Sequence, residues 1–224
     1  LFANQKLTVG MIKNKFFLTG LLLVILIVLY YSFFDSGTTT SVGGFTDVVN
    51  PETYRQQMGE ERTKKNQFFR TDAESPLLDK KGFTSLPYFA PDPAYRVIAR
   101  LEPFADKTQK LVVRMSDGKE EVYDKFAHAV FRLQDETCRL LIVKLDKTYS
   151  ILFRDATSGK TTYGGGRYLE LDESMLTDNQ AILDFNTAYN PYCAYNLGYS
   201  CPLPPAENTL PVAVRAGEKY SPHE

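Results

Sequence analysis

Cys193 and Cys201 stand eight positions apart in "LDFNTAYNPYCAYNLGYSCPLPPAENTL" (183–210), a stretch with four Asn, four Pro and four Tyr and little apolar periodicity. This is the composition of an ordered loop that holds a ligand, or holds itself, in one shape. Asp184, Asn186 and Asn190 are short polar residues of the kind that bond neighbouring backbone in turns, and Pro191 turns Asn190 away from helical geometry. Pro202, Pro204 and Pro205 stiffen the exit, which Asn208 can tie down. Outside a reducing compartment the two cysteines are candidates for a disulfide. Closing so short a loop stabilises by about 2.5 kcal/mol through chain entropy. Two free thiols or a metal pair are the alternatives. Neither zinc spacing nor a nearby His accompanies them, so no metal or other cofactor is expected.

Nucleophilic and acid–base chemistry has little further material. His128 lies in a strand-like run and His223 next to the end of the chain, so neither suits a Ser–His or Cys–His pair. Any reaction would fall to Asp155, Asp184 and Glu218 with Arg154 and Arg167, yet a buried Asp beside an Arg is commonly a structural ion pair. "SGKTTYGGGRY" (158–168) contains Gly159-Lys160-Thr161. A phosphate loop needs Gly where Arg154 stands, and a helix where a strand follows. A turn with Gly159 in the left-handed conformation is the better reading. Gly164, Gly165 and Gly166 directly precede Arg167; they either let the chain bend or clear space for an anionic group.

The elements that must position these residues follow from composition and period. Apolar residues make up 43% and charged residues 24% of the 224, which fits a folded globular body. Net charge is −1 and no basic stripe is present, which argues against a nucleic-acid partner. Three cysteines in a chain of this size do not make a disulfide scaffold.

Residues 16–34, "FFLTGLLLVILIVLYYSFF", are uncharged and close to the ~20 needed to cross a bilayer. The run is longer than the core of a cleaved leader and leaves through bulky aromatics. Lys6, Lys13 and Lys15 before it and Asp35 after it put the N-terminus in the cytoplasm. The expected order is therefore a cytoplasmic segment 1–15, a single transmembrane signal-anchor helix 16–34, a Gly/Ser/Thr-rich linker 35–50, and an extracytoplasmic domain 51–224. Met11 stands just before the span, so residues 1–10 read as upstream sequence.

Asn50 and Pro51 open a helix with a thin apolar face, Tyr54, Met58, Phe68 and Phe69, predicting a peripheral helix. Beyond residue 82 come "AYRVIARLEPF", "KLVVRMSD", "EEVYDKF", "HAVFRLQD", "TCRLLIVKLD" and "YSILFRDA", separated by turn material. Their spacing predicts a mainly β fold, an antiparallel sandwich or barrel. "TCRLLIVKL" is apolar on both faces and reads as a central strand with Cys138 a buried small hydrophobe.

Taken together, Phe153-x-Asp155-x-Thr157-x-Gly159, Thr162-Tyr163-x-x-Gly166-Arg167, Asp184-Phe185-Asn186, Asn190-Pro191-x-Cys193-Ala194, Cys201-Pro202-x-Pro204-Pro205-x-x-Asn208 and Ala216-Gly217-Glu218 resemble the bacterial domain-of-unknown-function family numbered 1684. The resemblance covers about residues 90–220. It implies a membrane-associated or extracytoplasmic bacterial protein of the inner membrane and brings no activity, cofactor or partner with it.

The reading that results is a membrane-tethered β domain of the cell envelope that binds a small ligand or an envelope protein, with enzyme activity left open and the balance against it. Its ligand-binding candidates are Asp155, Tyr163, Arg167, Asp184, Asn186, Asn190, Asn208 and Glu218, expected to line one concave pocket. The alternative is an envelope hydrolase working through the same Asp, Arg, Asn and Glu residues.

Overall fold

The structure is a computed structural model in which residues 50–145 and 147–220 are described. The expected transmembrane helix 16–34 and the linker up to residue 49 lie outside the described residues, as does His223. Among the described residues no helix is long and apolar enough to cross a membrane.

Helix α1 spans Pro51–Thr71. The Asn50 side chain accepts the backbone N–H groups of Glu52 and Thr53, two of the donors a helix start leaves unpaired, and Pro51 takes the first helical position. Only Tyr54, Met58 and Phe69 are buried, so the helix packs on the outside of the domain through a narrow seam, as its sequence predicts.

Seven strands follow: β1 Arg96–Pro103, β2 Lys110–Arg114, β3 Glu120–Leu133, β4 Glu136–Leu145, β5 Thr148–Phe153, β6 Arg167–Leu171 and β7 Gln180–Asp184. They form one antiparallel sheet in the order β6-β5-β4-β3-β1-β7, with β2 on the first half of β3 beyond the end of β1. The expected sandwich or barrel is thus corrected to a single curled sheet, a half-barrel. "EEVYDKF" and "HAVFRLQD" are not two strands but one long β3. Nothing between them is a turn former, and the extra residue is absorbed as a bulge between Lys125 and Ala127. A bulge bends its strand and increases the local twist, which curls the sheet. Gln134 and Asp135, both at positive φ, form the tight turn from β3 to β4.

Among the described residues no second sheet covers the concave face. The segment after β7 does so with irregular chain: Phe185, Ala188, Leu210, Val212, Val214 and Ala216 pack on Ala129, Phe131, Leu140, Ile142, Ile151 and Leu169. Val113, Tyr123, Leu141, Val143, Leu152 and Tyr168 make a smaller core on the other face. Strand β4 carries apolar side chains into both, with Cys138 buried on the concave side, so it is central, as its pattern predicts. The open edges approach one another after β7, where Tyr189 exchanges backbone hydrogen bonds of 2.9 and 3.0 Å with Tyr168 of β6.

Candidate functional site

Arg167 opens β6 and is among the largest fully buried side chains of the domain. Gly166 before it has φ +97°, and a Cβ there would lie 2.7 Å from the Phe153 carbonyl oxygen and 2.6 Å from Pro204 Cγ. The glycine therefore serves a close backbone approach and leaves no space for an anion. The Arg167 guanidinium donates from Nη2 to Asp155 Oδ2 at 2.7 Å and to the Val214 carbonyl at 2.9 Å. From Nη1 it donates to the Glu218 carbonyl at 3.1 Å and to that of Ala216. The second Asp155 oxygen accepts from the Thr157 backbone N–H and hydroxyl. Burial pulls the guanidinium pKa down, and Asp155 opposes that shift. The pair clamps the β5–β6 loop to the C-terminal segment and is closed to solvent.

Asp184, at the end of β7, takes the Tyr54 hydroxyl on both oxygens, at 2.7 and 2.8 Å. It also accepts from Arg96 Nη1 at 3.1 Å and from the Asn186 backbone N–H at 3.0 Å. The Asn186 amide bonds both backbone groups of Asp92, at 2.9 and 2.8 Å. Asn208 accepts from Leu141 N–H at 2.7 Å and donates to the Leu141 and Leu152 carbonyls at 2.9 and 2.8 Å. The ladder between β4 and β5 ends at Val143 and Ser150; the same register carried two residues further would pair Leu141 with Leu152. The Asn208 amide fills that split in the sheet.

Glu218, almost fully buried, accepts on Oε2 from the Asn190 N–H and the Tyr195 hydroxyl, both at 2.8 Å, while Lys65 Nζ of α1 stands 2.7 Å from Oε1. The Asn190 amide donates to the Lys219 carbonyl at 2.9 Å. Gly217 makes the turn possible at φ +75°, where a Cβ would be 2.8 Å from the Phe185 carbonyl. Asn186 and Glu218 border a cavity of about 90 Å³ under α1, with Met58, Arg62 and Tyr88. That space holds only a few water-sized groups. Of the eight expected residues, Asn186 and Glu218 border this cavity, Arg167 links Asp155 to the Glu218 carbonyl, and Asn208 fills the split between β4 and β5, with most of these polar atoms held by protein partners.

A larger cleft, about 540 Å³, opens where α1 passes β6 and the 189–201 loop. Phe68, Tyr168, Tyr189, Tyr192 and Tyr199 wall it, with Lys65, Glu170 and Cys201 among its polar or reactive residues. Tyr189 donates its hydroxyl to Glu170, and Lys65 Nζ sits 4.4 Å from the Tyr189 ring centre. Tyr192 and Tyr199 meet edge to face at 5.3 Å. Apart from Cys201, these residues were not among the expected site. The tyrosine density of 183–210 and the apolar face of α1 are their marks in the sequence, and the contribution of β6 has none.

Cys193 and Cys201 come together beside this cleft. Both are free thiols in this structure, where the sequence makes them candidates for a disulfide. The Cys193 backbone N–H donates to Cys201 Sγ at 3.1 Å. A hydrogen bond from the Cys201 thiol, helped by Tyr163 whose hydroxyl lies 3.9 Å from Cys193 Sγ, brings the Cys193 thiol down to about 6. The same bond pushes Cys201 up. Burial, with the nearby Cys193, raises the Tyr163 phenol to about 12. His128 pairs with Glu207 at 2.9 Å, away from both thiols.

The solution NMR structure of the uncharacterised protein from gene locus rrnAC0354 of Haloarcula marismortui is similar to this chain, at 37% identity and TM-score 0.59 over 75% of this chain and 95% of that one. No curated protein matches. The model of the family described as Protein of unknown function (DUF1684) matches residues 81–219, which hold all seven strands and every motif residue from Phe153 to Glu218, and the chain belongs to that family.

Proposed function

We propose that residues 51–224 are a ligand-binding module of the bacterial cell envelope, held on the outer side of the inner membrane by the span 16–34. The uncharged span and the lysines before it support the location. The aromatic cleft is the observation that carries the binding role. Its size is in the range of small-molecule sites, which combine apolar walls with a few placed polar groups. Binding is favoured over hydrolysis because Asp155, Asp184 and Glu218 are each engaged by internal donors. The walls suit a ligand with a flat apolar face and a polar rim, a class that includes sugar rings.

The chain has no Trp, so its emission comes from 14 tyrosines, four of which wall the cleft. Titrating the full chain with soluble envelope saccharides should give a saturable change in that emission and a higher Tm. Tyr192→Ala and Tyr199→Ala should each weaken binding by ~10-fold, about 1.4 kcal/mol. Unchanged affinity in both variants rules out the cleft as the site. Protease added to intact spheroplasts should remove the domain; survival until lysis rules out the location.

A further inference from the structure

We propose that Cys193 and Cys201 are a redox-active dithiol, closed to a disulfide by exchange with a small-molecule disulfide and reopened by thiols, whose state sets the shape of the neighbouring cleft. The Cys193 backbone N–H meets Cys201 Sγ at 3.1 Å, and the two thiols are hydrogen-bonded to each other. Each cysteine is held from a different side. Cys193 sits in the short turn Tyr192–Ala194. Cys201 is tied to Ser116 by its N–H at 3.0 Å and by its carbonyl, which accepts the Ser116 N–H at 2.8 Å. Between them the tip of the loop is exposed, Leu197 at 93%, so it can adjust when the ring closes. Cys201 lies on the cleft wall, which gives an oxidant a way in.

The pair shares one readily formed thiolate, because the hydrogen bond that lowers Cys193 raises Cys201. A thiolate with a pKa near ambient pH is the effective nucleophile in exchange. It attacks one sulfur of the oxidant RSSR, forming a protein–SR mixed disulfide and releasing RS⁻. That anion takes the proton of the remaining thiol. The second thiolate then attacks the protein sulfur of the mixed disulfide and expels the other RS⁻, which is protonated from solvent. Two electrons pass to RSSR, two RSH leave, and one S–S bond joins residues 193 and 201. Because Tyr192 adjoins the closing ring and Tyr199 lies within it, both of these cleft residues move with it. The exchange chemistry stands whatever the cleft binds.

The test is a titration of the full native chain in glutathione buffers from reduced to oxidised, trapped by alkylation and read by mass spectrometry. Three thiols should be alkylated at the reduced end and only Cys138 at the oxidised end, with a mass lower by two hydrogens and a two-electron transition between. Near-UV circular dichroism of the tyrosines should change along the same curve. Three alkylated thiols at excess oxidised glutathione, accumulation of glutathione adducts alone, or a bond that excess reduced glutathione does not open would overturn the dithiol. A normal thiol transition with an unchanged tyrosine signal would overturn its link to the cleft. Alkylation of Cys193 in the reduced protein should decline as pH falls through about 6.

Discussion

Arg167 and Asp155 form a buried ion pair, and the physics of such pairs lies in what happens when one member is taken away. Both charges gave up hydration, and the guanidinium recovers it through four acceptors drawn from distant parts of the chain. Arg167→Met would leave a buried carboxylate with only the Thr157 donors and strand three carbonyls of the C-terminal segment. A loss of about 3–5 kcal/mol is expected in urea unfolding. Asp155→Asn alone should cost less, because the carbonyls keep their donor. That a buried Asp beside an Arg is commonly structural was legible, but the sequence reading placed Asp155 and Arg167 among the ligand-binding candidates and did not pair them. The three carbonyls were not legible, because backbone acceptors leave no mark on residue type.

At the scale of elements, side-chain amides and hydroxyls replace missing backbone pairing. Helix α1 is peripheral, yet it is attached by polar contacts at two levels, Tyr54 on Asp184 and Lys65 on Glu218. Asn208 stands in for the strand pair that β4 and β5 fail to make. Asn208→Ala would leave the Leu141 N–H and the two carbonyls buried without partners. Each such group costs about 1–3 kcal/mol, so a loss of at least about 2 kcal/mol is expected. The Leu141 amide should lose most of its protection in hydrogen exchange, ahead of amides elsewhere in β4. Retained protection at Leu141 would show that the strands close the gap themselves.

For the whole molecule, the curled sheet has one large core and one small one, and the interface between sheet, helix and loop is built from tyrosines. Burial is the first cause of the raised phenol pKa at Tyr54, Tyr168, Tyr189 and Tyr195. The sign follows from linkage. Above the ordinary phenol value of about 10 the unfolded chain releases protons that the folded protein keeps, so stability falls as pH rises. Stability should be flat in this respect below about pH 9 and decline steeply above about 10. Ionisation of these four phenols, followed by residue-resolved NMR of ring-labelled tyrosine, should appear with unfolding and not before it. Ionisation of all four at pH 10–11 in a fully folded protein would contradict this.

The sequence by itself determined what depends on neighbours along the chain: the capped helix at Pro51, the two-faced pattern of β4, the turn at Gly159, and the family. It overcounted strands at β3, because a bulge leaves no turn residue to read. Only the tertiary structure decided how the sheet curls, which polar residues are internally satisfied, and where the cleft opens. Those outcomes rest on contacts such as Tyr54 with Asp184, 130 positions apart. Contact between such distant residues is fixed by the packing of the whole core, and local spacing carries no trace of it.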